Sequence, residues 1–323
     1  MKTAIRFVCV LILPLAMGWG ALEEVVRTVA AGSAEPAAGG SGENPVYREL
    51  VETGVPLPDG RTIKLPEPLL SEGMDAAAQR EALRKLERPG KTLADLMRGT
   101  IAAPFVLEIG QVAESRARRV DLYFFARGEL EVLMEKDFLD NQLGCGAKRG
   151  RDKDEWNRSG FLQPDELASR MLAVVETESE REAYLYSTSN VFDRVLLSST
   201  SRVYQTRQGA SILAASLLDA RFDEDSQYPN QWRPLVRDSA GRLKLGRGVH
   251  RYSGIGSYIK VSELAGQKNL LFIEFHMVFD EPREWFGGAN YISSKLPPLM
   301  RDNVQQFRAL ASRARESTAK QGG

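Results

Sequence analysis

A series of β-prone segments that ends in one long amphipathic helix is the feature that most limits how this chain can fold. The last β-prone segment, residues 269–279 (NLLFIEFHMVF), leads through a short turn-rich stretch to a predicted helix over residues 293–315. Apolar residues recur in that helix at three- and four-residue steps, namely Leu296, Leu299, Met300, Val304, Phe307, Leu310 and Ala311. Such a stripe has to be buried, and the preceding strands are the natural surface to cover it.

The other β-prone segments are rich in β-branched and aromatic residues and are separated by turn signals. They comprise residues 105–109, 120–125, 183–191, 194–207, 211–222 and 249–261. Their length and number predict a strongly curved antiparallel sheet. Gly254 and Gly256 inside the last segment predict a bulge or bend of that strand. Residues 223–247 read as a long insert between two strands.

Helical segments are predicted before and between the strands. Residues 76–88 contain strong helix formers and stop at Pro89-Gly90, and Thr92 with Asp95 resembles a capping box of a second short helix. Residues 55–104 are therefore predicted to form a helical N-terminal extension. Two further helices are predicted over residues 130–143 and 164–175.

The first 20 residues have the features of a secretory signal peptide. Lys2 and Arg6 precede an apolar run over residues 7–17, and small residues then allow a cut after Gly20. Because the run is too short for a membrane-spanning helix, we expect a cleaved leader, no transmembrane span after cleavage, and export to the periplasm or the extracellular space. Residues 21–54 are predicted to be a flexible spacer, since Ala, Gly, Ser and Pro dominate much of that stretch.

Charge and motif content narrow the classes of function. Lys plus Arg and Asp plus Glu number 43 each, so no basic field exists to attract nucleic acid. Cys145 is the only cysteine after the predicted leader, which excludes an intramolecular disulfide in the mature chain. The two histidines lack metal-ligand spacing, and Gly254-Ile255-Gly256 lacks the rest of a phosphate-binding loop. We therefore expect no metal and no cofactor, and the sequence does not identify a protein partner.

The stretch from LLFIEFHMVFDEP through WFGGANYISSKLPPLMRDNVQQFRAL resembles the end of START-type and polyketide-cyclase-like domains, the SRPBCC superfamily. In element order the resemblance covers residues 105–315, and residues 316–323 are expected to be a disordered tail. It implies an α+β helix-grip fold, in which a curved antiparallel sheet wraps around the long C-terminal helix. Members of this superfamily mostly bind lipids, sterols or other apolar molecules between sheet and helix, and some are enzymes.

The resemblance implies that a ligand would lie against Leu299, Met300 and Phe307 of the last helix. Trp285 with Phe286, and Trp232 in the insert, are expected either as aromatic lids at the cavity mouth or as anchors of their own loops. The N-terminal extension and the insert depart from the family pattern. They leave open whether a cavity is accessible, and a helix packed solidly on the sheet is the alternative.

The two histidines are the weak candidates for catalysis. Glu274 and His276 share one face of the last strand, opposite a fully apolar face, so the pattern favours a solvated outer-face pair. As a functional pair they would act as a base and its orienting carboxylate. His250 and Tyr252 are predicted to share one face of the strand over residues 249–261, which makes them a second candidate pair.

Three hypotheses of function follow. The sequence favours an exported, non-catalytic protein that binds an apolar small molecule or lipid between the sheet and the C-terminal helix. The first alternative is a cell-envelope interaction module with a filled core. The second is a cyclase- or hydrolase-type enzyme that uses His276 with Glu274, for which both histidines should line a common cavity.

Overall fold

The computed structural model describes residues 44–131, 156–177, 179–287 and 291–321, with side chains to residue 312. The predicted signal peptide, most of the predicted spacer, Cys145 and nearly all of the predicted helix over residues 130–143 lie outside the described residues.

Thirteen strands are described, and eleven of them form one antiparallel sheet. The strands of that sheet are β3 (Val106–Gln111), β4 (Ala117–Arg127), β5 (Arg158–Phe161), β6 (Glu180–Val191), β7 (Val195–Gln208), β8 (Ser211–Leu218), β9 (Gln231–Arg237), β10 (Leu243–Leu245), β11 (His250–Arg251), β12 (Ile255–Glu263) and β13 (Leu270–Asp280). A separate hairpin joins β1 (Val55–Pro56) to β2 (Thr62–Ile63).

The helices are short except for the last one. They are α1 (Pro45–Arg48), which continues as a π-helical turn (Glu49–Thr53), α2 (Ala76–Arg84), α3 (Leu93–Leu96), α4 (Pro164–Ala168), α5 (Arg283–Phe286) and α6 (Tyr291–Gln321). The predicted capping box is confirmed at α3, because Thr92 accepts from the backbone of Asp95 and the Asp95 side chain accepts from the backbone of Thr92.

The sheet runs in the order β3, β4, β13, β12, β8, β7, β6, β5. Strand β7 divides one of its edges between two partners: its residues 201–208 pair with β8, whereas its residues 195–198 pair with β9. Strands β10 and β11 then attach to β9. The sheet is therefore forked, with a three-stranded branch beside the main body.

The C-terminal helix lies on what we call the inner face of the sheet. Ile292, Leu296, Met300 and Val304 of α6 are at most 1% exposed and belong to one apolar cluster. That cluster also takes residues from β4, β6, β7, β8, β9, β12 and β13. Residues from seven strands thus share one apolar cluster with this helix. The sheet curves around α6, and the predicted helix-grip fold is confirmed.

The N-terminal segment, residues 44–74, covers the opposite or outer face. Val46, Leu50 and Val55 are buried against Tyr258 and Val278 of the sheet. The side-chain amide of Asn44 donates to the carbonyl of Tyr204, at 2.8 Å. Residues 44–54, which the sequence predicted as the end of a flexible spacer, are thus a packed helical segment. Their apolar side chains pack against the sheet, which a prediction from the Gly and Ala content of the stretch as a whole did not take into account.

Gly256 explains how closely this segment approaches the sheet. A Cβ at position 256 would lie 2.6 Å from Leu50 Cδ2 and 2.6 Å from Val55 Cγ2. The glycine sits in regular pairing with both β8 and β13, so the predicted bulge does not occur there. Gly254 instead, with φ +86°, takes the left-handed conformation just before β12 and ends the extended run.

Other predicted boundaries also change. The insert over residues 223–247 contains β9 and β10 and so extends the sheet. The predicted helix over residues 164–175 is limited to α4, and the segment 211–222 ends as a 3₁₀ turn (Ala220–Phe222). Helix α6 reaches Gln321 and takes in most of the predicted disordered tail.

Candidate functional site

The interior between the sheet and α6 brings together the residues predicted to line a ligand. Trp232, Trp285, Leu299, Met300 and Phe307 all belong to the inner apolar cluster, with exposures of 5%, 3%, 6%, 0% and 7%. Phe286 is partly buried against it. These residues come from β9, α5 and α6, so convergence on one interior is a property of the fold. Whether they contact a ligand stays a prediction.

Aromatic side chains close one end of this interior. Trp285 stacks on Tyr252 with ring centroids 5.5 Å apart and meets Trp232 edge-on at 6.3 Å. Phe286 stacks on Tyr291 of α6 at 5.3 Å. The indole Nε1 of Trp285 is buried and has no hydrogen-bond partner within the described part of the chain. Buried donors are usually paired, so this N–H keeps the capacity to donate to an acceptor.

Arg308 fixes α6 to the sheet at the other end. Its guanidinium donates to the carbonyls of Phe125, Ala103 and Pro104, at 2.8, 2.5 and 3.0 Å, and lies over the ring of Phe124. The side chain is 1% exposed, and no carboxylate among the described residues pairs with it. Burial therefore lowers the pKa of Arg308 to about 10. Sequence reasoning missed this contact, since an arginine on an amphipathic helix normally faces water.

The inner face carries polar residues as well as apolar ones. We call the set of inner-face serines on β6, β7, β8 and β12 the serine row; its members are Ser187, Ser189, Ser199, Ser201, Ser216 and Ser257. Alternation along each strand places them on the face that carries Val191, Leu197 and Ile259 of the inner cluster. Ser187 lies opposite Ser199, and their hydroxyl oxygens are 3.0 Å apart.

A cavity of about 20 Å³ lies among the serine row and is also lined by Leu185, Ile255 and Gly256. The row has a sequence signal, because serine recurs at every second position in residues 187–189 and 199–201. Sequence reasoning overlooked it because attention went to the aromatic and ionisable residues.

Glu274 and His276 lie on the outer face, but the predicted solvent exposure of this pair is wrong. Their exposures are 0% and 1%, because residues 66–72 of the N-terminal segment lie over them. The backbone N–H of Leu69 donates to Glu274 Oε2 at 2.8 Å, and Tyr258 donates to the carbonyl of Pro66 at 2.6 Å. A strand pattern fixes which residues share a face, but not whether a distant segment covers that face.

His276 is held between two carboxylates. Its Nδ1 donates to Asp121 Oδ1 at 2.6 Å, and its Nε2 lies 3.8 Å from Glu274 Oε2. Burial lowers the pKa of His276, but the hydrogen bond with Asp121 and the nearby Glu274 carboxylate outweigh it, so this pKa is raised above its ordinary value. Nε2 and Glu274 Oε1 lack hydrogen-bond partners within the residues described here. The two carboxylates thus favour the protonated form of this buried imidazole beneath the N-terminal segment.

The prediction that His250 and Tyr252 share one face of a continuous strand is also wrong. His250 belongs to the two-residue strand β11 and is exposed, stacked on Trp232 at a centroid distance of 4.2 Å. Tyr252 lies outside any strand, is 1% exposed and donates to the carbonyl of Asp280 at 3.1 Å. The conformation at Gly254 separates this stretch from β12. His250 and His276 therefore belong to different parts of the sheet, with one exposed and the other buried.

No protein-family model matches the chain, and no curated protein matches it significantly. Solved structures that resemble it include a STAR-related lipid transfer protein from Xanthomonas axonopodis, 11% identical with a TM-score of 0.35, where the match covers 65% of this chain and 98% of that one. Human STARD10 is 8% identical with a TM-score of 0.33, and the match covers 76% of this chain and 87% of that one. The lipid transfer and protein localization domain of human StarD13 is 9% identical with a TM-score of 0.32, covering 73% and 94%.

The helix-grip fold of this chain is defined by its own topology, the strand order and the position of α6 on the inner face. Within the described residues, no helix combines the length and the apolarity needed to cross a bilayer. Nor do any three His, Cys, Asp or Glu side chains of those residues come together in a way that would hold a metal ion.

Proposed function

We propose that this chain binds an apolar or amphipathic small molecule, such as a lipid, between the inner face of the sheet and α6. The observation that carries the proposal is the buried indole N–H of Trp285, unpartnered among the described residues, at the aromatic end of the interior. A buried donor without an acceptor costs about 1–3 kcal/mol, which a bound ligand with a carbonyl, ether or hydroxyl oxygen would recover. The surrounding aromatic and aliphatic side chains would solvate its apolar part.

Entry of such a ligand requires movement. Small-molecule sites usually enclose about 300–1,000 Å³, whereas the cavity at the serine row has about 20 Å³. Pro297 and Pro298 lie inside α6 and have no N–H, so the first turns of the helix are joined to the rest by fewer hydrogen bonds. We expect residues 291–296 and α5 to shift away from the sheet, while Arg308 holds the remainder of α6 in place.

Export is part of the same proposal and rests on the predicted leader over residues 1–20. An exported protein of this kind would carry or sequester its ligand outside the cytoplasm. The enzyme hypothesis receives less support, because Glu274 and His276 are covered by the N-terminal segment and His250 lies elsewhere.

The experiment compares the native mass of the purified protein with its denatured mass and identifies molecules in an organic extract. Titration with diphenylhexatriene, a hydrocarbon whose fluorescence rises in apolar surroundings, measures directly whether the interior binds an apolar molecule. We expect a stoichiometric apolar or amphipathic ligand and saturable probe binding. A clean apo mass together with no probe binding would overturn the proposal and favour the interaction module with a filled core.

A substitution tests the role of Trp285. Trp285→Phe removes the indole N–H and keeps an aromatic ring. It should therefore lower the affinity for an oxygen-bearing ligand by about 3- to 10-fold, the value of one hydrogen bond. The matched control is Trp156→Phe, at a tryptophan that is not part of the inner cluster. Equal affinities of the two variants would show that the indole donor does not bind the ligand.

A further inference from the structure

The serine row places hydroxyl groups where a filled core would normally carry apolar side chains. Ser187, Ser189, Ser199 and Ser257 are 2%, 1%, 6% and 5% exposed. They come from β6, β7 and β12, and they continue the inner face that carries the apolar cluster against α6. The interior on this face thus changes from apolar to hydroxyl-lined along one continuous surface.

The hydrogen-bonding capacity of the row is not used up. Ser189 Oγ is buried and has no partner within the part of the chain that the structure describes. Ser187 and Ser199 bond to each other, but a hydroxyl can donate once and accept twice, so the pair keeps free capacity. The cavity of about 20 Å³ lies against Ser187, Ser199 and Ser257 and has room for a small polar group or a water molecule.

The row is uncharged. None of the residues that line its cavity carries a charge. Arg181, further along the same face of β6 beyond Ala183, lies 3.8 Å from Glu176, so a carboxylate of the protein already faces its guanidinium. A carboxylate or phosphate of a ligand would therefore meet hydroxyls without a counter-charge, which a buried anion requires.

We propose that the serine row binds the uncharged, hydroxyl-bearing end of an amphipathic ligand whose apolar part lies against α6, so that the protein selects neutral over anionic lipids. This inference rests on the proposed function, because it assigns the polar end of the same ligand. The serines would exchange hydrogen bonds with the hydroxyl oxygens of that end, and the apolar side chains of α6 would enclose the hydrocarbon.

The test uses three probes of similar apolar character. They are 1-monooleoylglycerol, which is neutral and carries two hydroxyls, oleate, which is anionic, and diphenylhexatriene, which has no polar atom. The lipids are titrated as competitors of diphenylhexatriene. The site variant is Ser187→Ala with Ser199→Ala. The control is Ser198→Ala with Ser262→Ala, two outer-face serines of β7 and β12 that are equally buried, at 6% and 5%.

We expect monooleoylglycerol to bind the unaltered protein at least 10-fold more tightly than oleate. The site variant should bind monooleoylglycerol about 10-fold more weakly, because two neutral hydrogen bonds are lost. The control variant should change that affinity by less than 2-fold. Diphenylhexatriene should bind all three proteins equally, which also shows that the variants are folded.

The results separate the two proposals. Probe binding with equal monooleoylglycerol affinity in the site and control variants, or with oleate bound as tightly as monooleoylglycerol, overturns the assignment of the serine row and leaves the apolar site standing. Failure of every probe to bind the unaltered protein overturns the site and the serine row together.

Discussion

Replacing Arg308 with methionine tests whether the guanidinium holds α6 on the sheet. Methionine keeps most of the volume of the stem but leaves the carbonyls of Phe125, Ala103 and Pro104 without their donor. At about 1 kcal/mol for each buried acceptor, the loss is roughly 3 kcal/mol. The substitution also removes a charge whose burial is unfavourable, as the lowered Arg308 pKa of about 10 indicates. This gain offsets part of the lost hydrogen-bond energy. We expect a net loss of about 2 kcal/mol in the free energy of unfolding.

The assay is urea unfolding followed by circular dichroism. Arg301→Met is the matched control, because Arg301 is an exposed arginine on the same helix, and it should change the free energy of unfolding by less than about 0.5 kcal/mol. If the two variants unfold at the same urea concentration with the same slope, the three carbonyls do not depend on Arg308, and the reasoning fails.

Three further changes probe the outer face and its charges. Gly256→Ala should lose about 1–3 kcal/mol of stability, because the new methyl meets Leu50, whereas Gly110→Ala, with open space at its Cβ, should not; urea unfolding distinguishes them. His276→Gln should lose the pH dependence that this histidine supplies. Because the His276 pKa is raised, protonation stabilises the unaltered protein below the ordinary histidine pKa, and this contribution is lost as pH rises through the folded value. The free energy of unfolding is measured against pH for both proteins. Parallel curves for His276→Gln and the unaltered protein would count against the Asp121 contact. Burial raises the pKa of Asp280 to about 6, so the unaltered protein should lose stability relative to Asp280→Asn as pH rises from the ordinary aspartate pKa to about 6, with little further change above that; thermal unfolding at pH 4 and pH 8 checks this.

The sequence predicted the parts of the fold that depend on local pattern. Strands β4, β6, β7 and β13 and helix α6 follow from alternation and three- to four-residue periodicity, and they are confirmed within a few residues. The same patterns also identified the apolar face of β13, which lies against α6. These features need only information that lies within one segment.

Features that depend on distant segments were not predicted. The solvent exposure assigned to Glu274 and His276 was wrong because a chain segment some 200 residues earlier in sequence covers them. Arg308 was missed for a related reason, since its acceptors belong to residues 103–104 and to β4. Buried polar contacts of this kind are set by tertiary packing and leave little trace in a single sequence.

The fork at β7 divides the sheet into two units that pair with β7 over different lengths. The branch formed by β9, β10 and β11 is joined to β7 through only the four residue pairs from Val195↔Pro234 to Ser198↔Gln231, whereas β6 follows β7 along residues 195–206. Amide hydrogens of the branch should therefore exchange with deuterium before those of the β6–β7 pair, through openings that leave the main body folded. Because Trp232 belongs to this branch, one wall of the interior would loosen with it.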